Sequence, residues 1–176
     1  MSYKKIFEDL QSAFKTDPEN AKAEFQASSK LVSGLKCESQ SRNFKTIIDE
    51  PEALGGSDEG PNPVELALSS LGACQEITYR FYADKLGIPL DNIEIDLSGN
   101  LDFRGFLDVD NSIRPGYLGV KASVKIDSTA SDEEIEKLKN IVNEHCPVLD
   151  LFSNKTPVDI SVSRKSSSSN NERQSA

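Results

Sequence analysis

Residues 63–86 read PVELALSSLGACQEITYRFYADKL. Val64, Ala67, Leu68, Leu71, Cys74, Thr78 and Tyr82 fall on one face at helical spacing, and Leu66, Ala73, Ile77 and Phe81 occupy much of the remainder. A helix apolar on most sides belongs inside a domain or at a large interface. Its start is set just upstream, where Asn62 supplies an N-cap and Pro63 takes the first helical position. Gly72 costs about 1 kcal/mol of helix propensity relative to Ala. Beside Ser69, Ser70 and Ala73 it predicts close approach of another backbone or a local break.

Towards the N-terminus, the loop at 54–63, LGGSDEGPNP, is a rigid entry into that helix. Residues 2–15 read as an amphipathic helix, with Ser2 as N-cap and Ile6, Phe7, Leu10 and Phe14 in one stripe; the polar stretch 16–22, with Pro18, ends it. Between them, residues 25–32 predict a first strand, Ser33-Gly34 a turn, and 35–39 and 44–48 two further strands of a meander. Towards the C-terminus, 93–97 and 118–126 alternate as strands around a Gly- and Asp-rich connection, 99–116, that carries Arg104 and Arg114. Ser131 and Glu134 form a capping box for a helix with Ile135, Leu138, Ile141 and Val142 on its buried stripe. Cys146-Pro147 breaks that helix, 148–152 predict another turn, and Val158, Ile160 and Val162 alternate in a last strand. These elements divide the chain into an N-terminal helical extension (1–24), one main domain (25–164) and a Ser-rich tail (165–176) expected to be disordered. The fold class is α+β, with antiparallel strands around a long buried central helix.

The 176 residues suit one domain, at 36% hydrophobic and 28% charged. Lys plus Arg number 20 against 29 Asp plus Glu, a formal charge of -9, which opposes nucleic acid and anionic membrane as partners. No stretch approaches the ~20 apolar residues of a membrane span. The first residues, broken by Glu8 and Asp9, lack a signal peptide's apolar run. A soluble, cytoplasmic protein is expected. There is no C-x-x-C pair, His145 is the only histidine, and G-x-S-x-G, G-x-G-x-x-G and G-x-x-x-x-G-K-[ST] are all missing. Neither a metal nor an organic cofactor is expected, which leaves thiol chemistry or none.

Each cysteine has its own reading. Cys74 lies in the most apolar helix, where a small core hydrophobe and a functional thiol are both open. Cys146 precedes Pro147, so it either meets amide dipoles at a helix start or packs at a junction. Cys37 sits on the apolar side of a strand and is structural; His145 is a helix C-terminal residue rather than a base.

The string DEPEALGGSDEGPNPVELALSSLGAC (49–74), the EHCPVLDLFSNKTPV segment (144–158) and GNLDFRGFLDVDNSIRPGY (99–117) resemble the OsmC/Ohr family of osmotically inducible and organic hydroperoxide resistance proteins. The resemblance covers residues 25–163 and is to an OsmC-like branch rather than Ohr itself. It implies an OsmC-like fold in an intertwined homodimer and thiol peroxidase activity on organic hydroperoxides, an antioxidant role in oxidative stress. By that resemblance Cys74 is the peroxidatic cysteine, which becomes a sulfenic acid, and Cys146 the resolving cysteine, which closes a disulfide with it. An external dithiol, dihydrolipoyl in type, restores the enzyme. Ohr proteins use an arginine and a glutamate to activate the thiol. Val64 stands at that glutamate's position here, and Glu65 matches a second carboxylate position seen in OsmC. Nine helical residues put Glu65 and Cys74 on opposite faces, so direct contact requires a kink at Gly72 or the partner subunit. Arg42 is the preferred cation, ahead of Arg104 and Arg114. The alternative is a non-enzymatic member that binds a hydrophobic ligand or senses redox state.

Overall fold

Caps and packing explain the central helix. The computed structural model describes residues 3–164, so the expected cap Ser2 and the expected 165–176 tail lie outside the described residues. Helix α2 spans Pro63–Leu86. The Asn62 side chain accepts from the Glu65 amide at 2.9 Å, and the Glu65 carboxylate accepts from the Asn62 amide at 2.8 Å, a reciprocal capping box. Gly87, at φ 69°, ends the helix in the left-handed conformation. Gly72 makes no break. A Cβ there would stand 2.9 Å from Leu97 Cδ1, so the glycine serves close packing against the strand that carries Leu97.

Hydrogen bonds and close backbone packing hold the entry to α2. The buried Asp49 carboxylate accepts from the amides of Glu50, Ser57 and Glu59 at 2.9–3.3 Å. Burial pushes that carboxyl up, but the three amides and nearby Lys36 outweigh it and hold it below the ordinary aspartate value. At Gly56 a Cβ would fall 1.8 Å from the Glu50 carbonyl oxygen, so only glycine fits this turn.

Helix α1 (Tyr3–Thr16) and a three-stranded antiparallel sheet, β1 (Ser28–Ser33), β2 (Lys36–Ser41) and β3 (Phe44–Ile48), precede α2. After it, β4 (Asn92–Asn100) pairs antiparallel with β5 (Gly119–Asp127), Ile95 opposite Val124. Their connection contains a short helix α3 (Phe103–Phe106), capped by Asp102, that the sequence reading did not predict. Helix α4 (Asp132–His145) starts at the predicted Ser131/Glu134 capping box, and α5 (Pro147–Ser153) follows at once. Leu138 and Val142 of α4 are fully buried against Tyr79 and Ala83 of α2 and against Ile88 and Leu90 just beyond it. That cluster fixes α4 along the second half of α2.

Three expectations change. The first strand begins at Ser28, not Phe25, which is 94% exposed and outside any strand. Residues 158–162 form no strand, because a strand needs a neighbour and none of the described residues pairs with them. Their three alternating apolar side chains stand exposed. Helix α2 is only partly covered by its own chain: Leu71, Gly72, Gln75, Thr78, Tyr79 and Ala83 are buried, while Ile77 is 57% exposed.

Candidate functional site

The packing of α4 on α2 brings together two cysteines that lie 72 residues apart. Cys74 sits mid-way along α2, and Cys146 is the hinge between α4 and α5. Their sulfurs are 3.4 Å apart, both as free thiols. Closing that gap to the ~2.05 Å of a disulfide needs an approach of only about 1.3 Å. The backbone holds the hinge from both sides. The Cys146 amide donates to the Val142 carbonyl at 2.9 Å, and its carbonyl accepts from the Asp150 amide at 3.1 Å. Cys146 is 2% exposed whereas Cys74 is half-buried, so solvent-borne reactants meet Cys74 first.

Burial is the largest influence on the Cys74 thiol and pushes its pKa up. The neighbouring Cys146 sulfur also favours the protonated form. The Val148 amide and the Thr78 hydroxyl act the other way, and the net effect is a pKa above the ordinary thiol value. Helix-start amides are one of the two readings of Cys146 in the sequence, whereas the Val148 amide, in the first turn of α5, acts on Cys74. Thr78 also donates to the Cys74 carbonyl at 2.7 Å. In this environment the thiolate is the minor form at pH 7, so labelling of Cys74 by iodoacetamide should accelerate as pH rises through 8.5 and beyond. A labelling rate already flat at pH 7–8 would show that a cation from outside the chain has lowered the pKa.

A cavity of about 520 Å³ borders the segments that carry the pair, although neither cysteine is among its lining residues. Leu71, one turn before Cys74, and Leu149, one turn after Cys146, line it with Leu118, Phe152, Tyr117 and Arg114. The Tyr117 hydroxyl donates to the Val64 carbonyl at 2.8 Å and its ring stacks on Phe152, which fixes that wall. The Arg114 guanidinium makes no ion pair among the described residues. These lining residues are scattered over α2, the β4–β5 connection and α5, and only a weak signal, an arginine in the connection, pointed to any of them.

The other candidates lie elsewhere in the single chain. Glu65 is engaged in the α2 cap and lines a separate groove of about 480 Å³ between α2 and β4, with Gly72 and Leu97. That agrees with its helical spacing from Cys74. Arg42 occupies the β2–β3 turn at φ 54°, stacked over the Phe44 ring at 5.0 Å. Arg104 is bound to Asp102. Cys37, half-buried on β2, points its sulfur to the Leu35 carbonyl and takes no part in the pair. His145 ends α4, as expected, and stacks on Tyr82. No described group of His, Cys, Asp and Glu could hold a metal ion, and no described helix is long and apolar enough to cross a membrane.

Comparison with solved structures yields the same architecture in several proteins. An OsmC-like protein from Mycoplasma pneumoniae aligns with a TM-score of 0.66 at 19% identity, covering 74% of this chain and 87% of that one. A Legionella pneumophila protein, described as an organic hydroperoxide resistance protein OsmC and predicted redox protein, aligns at 0.58 and 24% identity, covering 75% and 92%. A Haloferax volcanii protein described only as uncharacterized is 25% identical over 141 residues, 80% of this chain and 96% of its own length. The family model for OsmC-like proteins matches residues 56–161, a span that holds α2, both cysteines of the close pair and the residues that line the cavity. The chain therefore belongs to the OsmC-like protein family.

Proposed function

We propose that the protein is a cysteine peroxidase that reduces organic hydroperoxides. The observation that carries this reading is the 3.4 Å approach of a half-buried Cys74 and a buried Cys146. The Cys74 thiolate attacks the terminal peroxide oxygen; the O–O bond breaks, an alkoxide leaves and takes a proton, and Cys74 becomes a sulfenic acid. The Cys146 thiol then displaces water from that sulfur, forming the Cys74–Cys146 disulfide. A dithiol of dihydrolipoyl type supplies two electrons, becomes a disulfide itself and returns both cysteines to thiols. The cavity walled by Leu71, Leu149 and Phe152 receives the organic group, and Arg114 at its rim attracts the peroxide oxygens. The likeness to the Legionella organic hydroperoxide resistance protein supports the substrate class.

The working form is a homodimer in the cytoplasm. The uncovered side of α2, the bare meander and the unpaired 158–162 segment are the surfaces a second copy would cover. A second copy would also offer Arg42 or Glu65 a route to the thiol. Sedimentation at micromolar concentration should give twice the chain mass, and cumene hydroperoxide with dihydrolipoamide should be turned over repeatedly. A stable monomer without turnover contradicts the reading. One observation favours a second reading, a redox sensor: the raised Cys74 pKa slows thiolate attack within the isolated chain. A sensor would form the same disulfide but recycle slowly with dihydrolipoamide.

A further inference from the structure

Helix α1 lies outside the residues matched to the family, yet it is tied to the cysteine hinge. The Lys4 amide donates to the Asp84 carboxylate at 2.7 Å, which pins the helix along the end of α2. From there an aromatic series runs inward. The Phe7 ring meets Tyr82 edge-on at 5.4 Å, and Tyr82 stacks on His145 at 5.2 Å with 11° between planes. Lys85 completes the clamp, its ammonium over both the Phe7 and Tyr82 rings. His145 is the last residue of α4 and the next residue is Cys146. Helix ends fray unless held, and the last turn of α4 is held here by a ring that α1 itself holds.

We infer that Phe7 and Tyr82 are positioning residues that act through His145 to keep Cys146 within reach of the Cys74 sulfur. This rests on the peroxidase reading above and adds a regulatory element to it. The Cys74 sulfenic acid has two fates. Attack by the Cys146 thiol forms the disulfide and releases water, whereas a second hydroperoxide adds another oxygen, giving a sulfinic acid and a second alcohol. A docked α1 favours the first fate, and an undocked α1 exposes Cys74 to the second. The N-terminal helix thus sets how readily peroxide excess inactivates the enzyme.

The test compares wild type, Phe7→Ala, Phe7→Tyr, Tyr82→Phe and Leu10→Ala. Leu10 lies on the same helix, 48% exposed and outside the aromatic series. Each protein receives ten equivalents of cumene hydroperoxide, and mass spectrometry gives the ratio of sulfinic acid to disulfide at Cys74. A displacement of about 1 Å typically costs up to 100-fold in a positioned reaction, so we expect Phe7→Ala to raise that ratio by about tenfold. Phe7→Tyr, Tyr82→Phe and Leu10→Ala should keep the wild-type ratio, and consumption of the first peroxide equivalent should be equal in all five. An unchanged ratio in Phe7→Ala, or an equal rise in Leu10→Ala, overturns the inference. Diamide, a thiol oxidant that needs no peroxide chemistry, supplies an independent arm. Slower diamide-driven closure of the disulfide in Phe7→Ala supports the positioning role, and equal closure overturns it, even if peroxide leaves wild-type Cys74 untouched and the peroxidase reading itself fails.

Discussion

Cys74→Ser should lose hydroperoxide consumption altogether, while Cys37→Ser keeps most of the wild-type rate. A serine hydroxyl at the same place in α2 keeps the packing but has no accessible anion near neutral pH, and the anion is the nucleophile. Removal of a catalytic nucleophile costs on the order of a thousandfold or more in turnover. Cys37 provides the control within the same chain. It is a half-buried thiol on β2, facing the Leu35 carbonyl, and it has no second sulfur beside it. A peroxide assay coupled to dihydrolipoamide oxidation reads both variants, and equal turnover by wild type and Cys74→Ser would remove Cys74 from the mechanism.

Cys146→Ser should separate the two halves of the reaction. The variant still reduces one equivalent of hydroperoxide, because Cys74 and the cavity are intact, but no thiol waits 3.4 Å away to discharge the sulfenic acid. An adjoining intramolecular thiol has a large kinetic advantage over a dissolved dithiol, so steady turnover should fall by about 100-fold. The idle sulfenic acid then proceeds to sulfinic acid as peroxide is added. Because the Cys146 side chain is buried, a serine hydroxyl there costs about 1–3 kcal/mol unless it finds a partner. Cys146→Ala, which carries no such polar group, should show the same single-turnover behaviour. If either variant cycles at the wild-type rate, the sulfenic acid is resolved by the external dithiol directly and Cys146 is a packing residue.

Local chemistry was legible in the sequence wherever a few adjacent residues determine it. Asn62 and Pro63 announced the start of α2, Ser131 and Glu134 that of α4, and Cys146-Pro147 the break between α4 and α5. The spacing of Glu65 from Asn62 likewise spells a capping box, and in the single chain that is where its carboxylate is engaged. The approach of Cys74 to Cys146 was not legible from spacing. It depends on how Leu138 and Val142 settle against Tyr79 and Ala83, a packing fact that no short window contains. The 158–162 segment carried the alternation of a strand without, among the described residues, the neighbour that makes one, so periodicity alone did not make an element. The Phe7–Tyr82–His145 series was hidden for the same reason as the cysteine pair, since its members come from distant parts of the chain.

The most direct measurement is peptide mapping by mass spectrometry after one equivalent of cumene hydroperoxide is added to the fully reduced protein. A Cys74–Cys146 disulfide, formed within seconds and accompanied by one equivalent of cumyl alcohol, is the expected result. Two free thiols at these positions with the hydroperoxide unconsumed, or oxidation confined to Cys37, would contradict it.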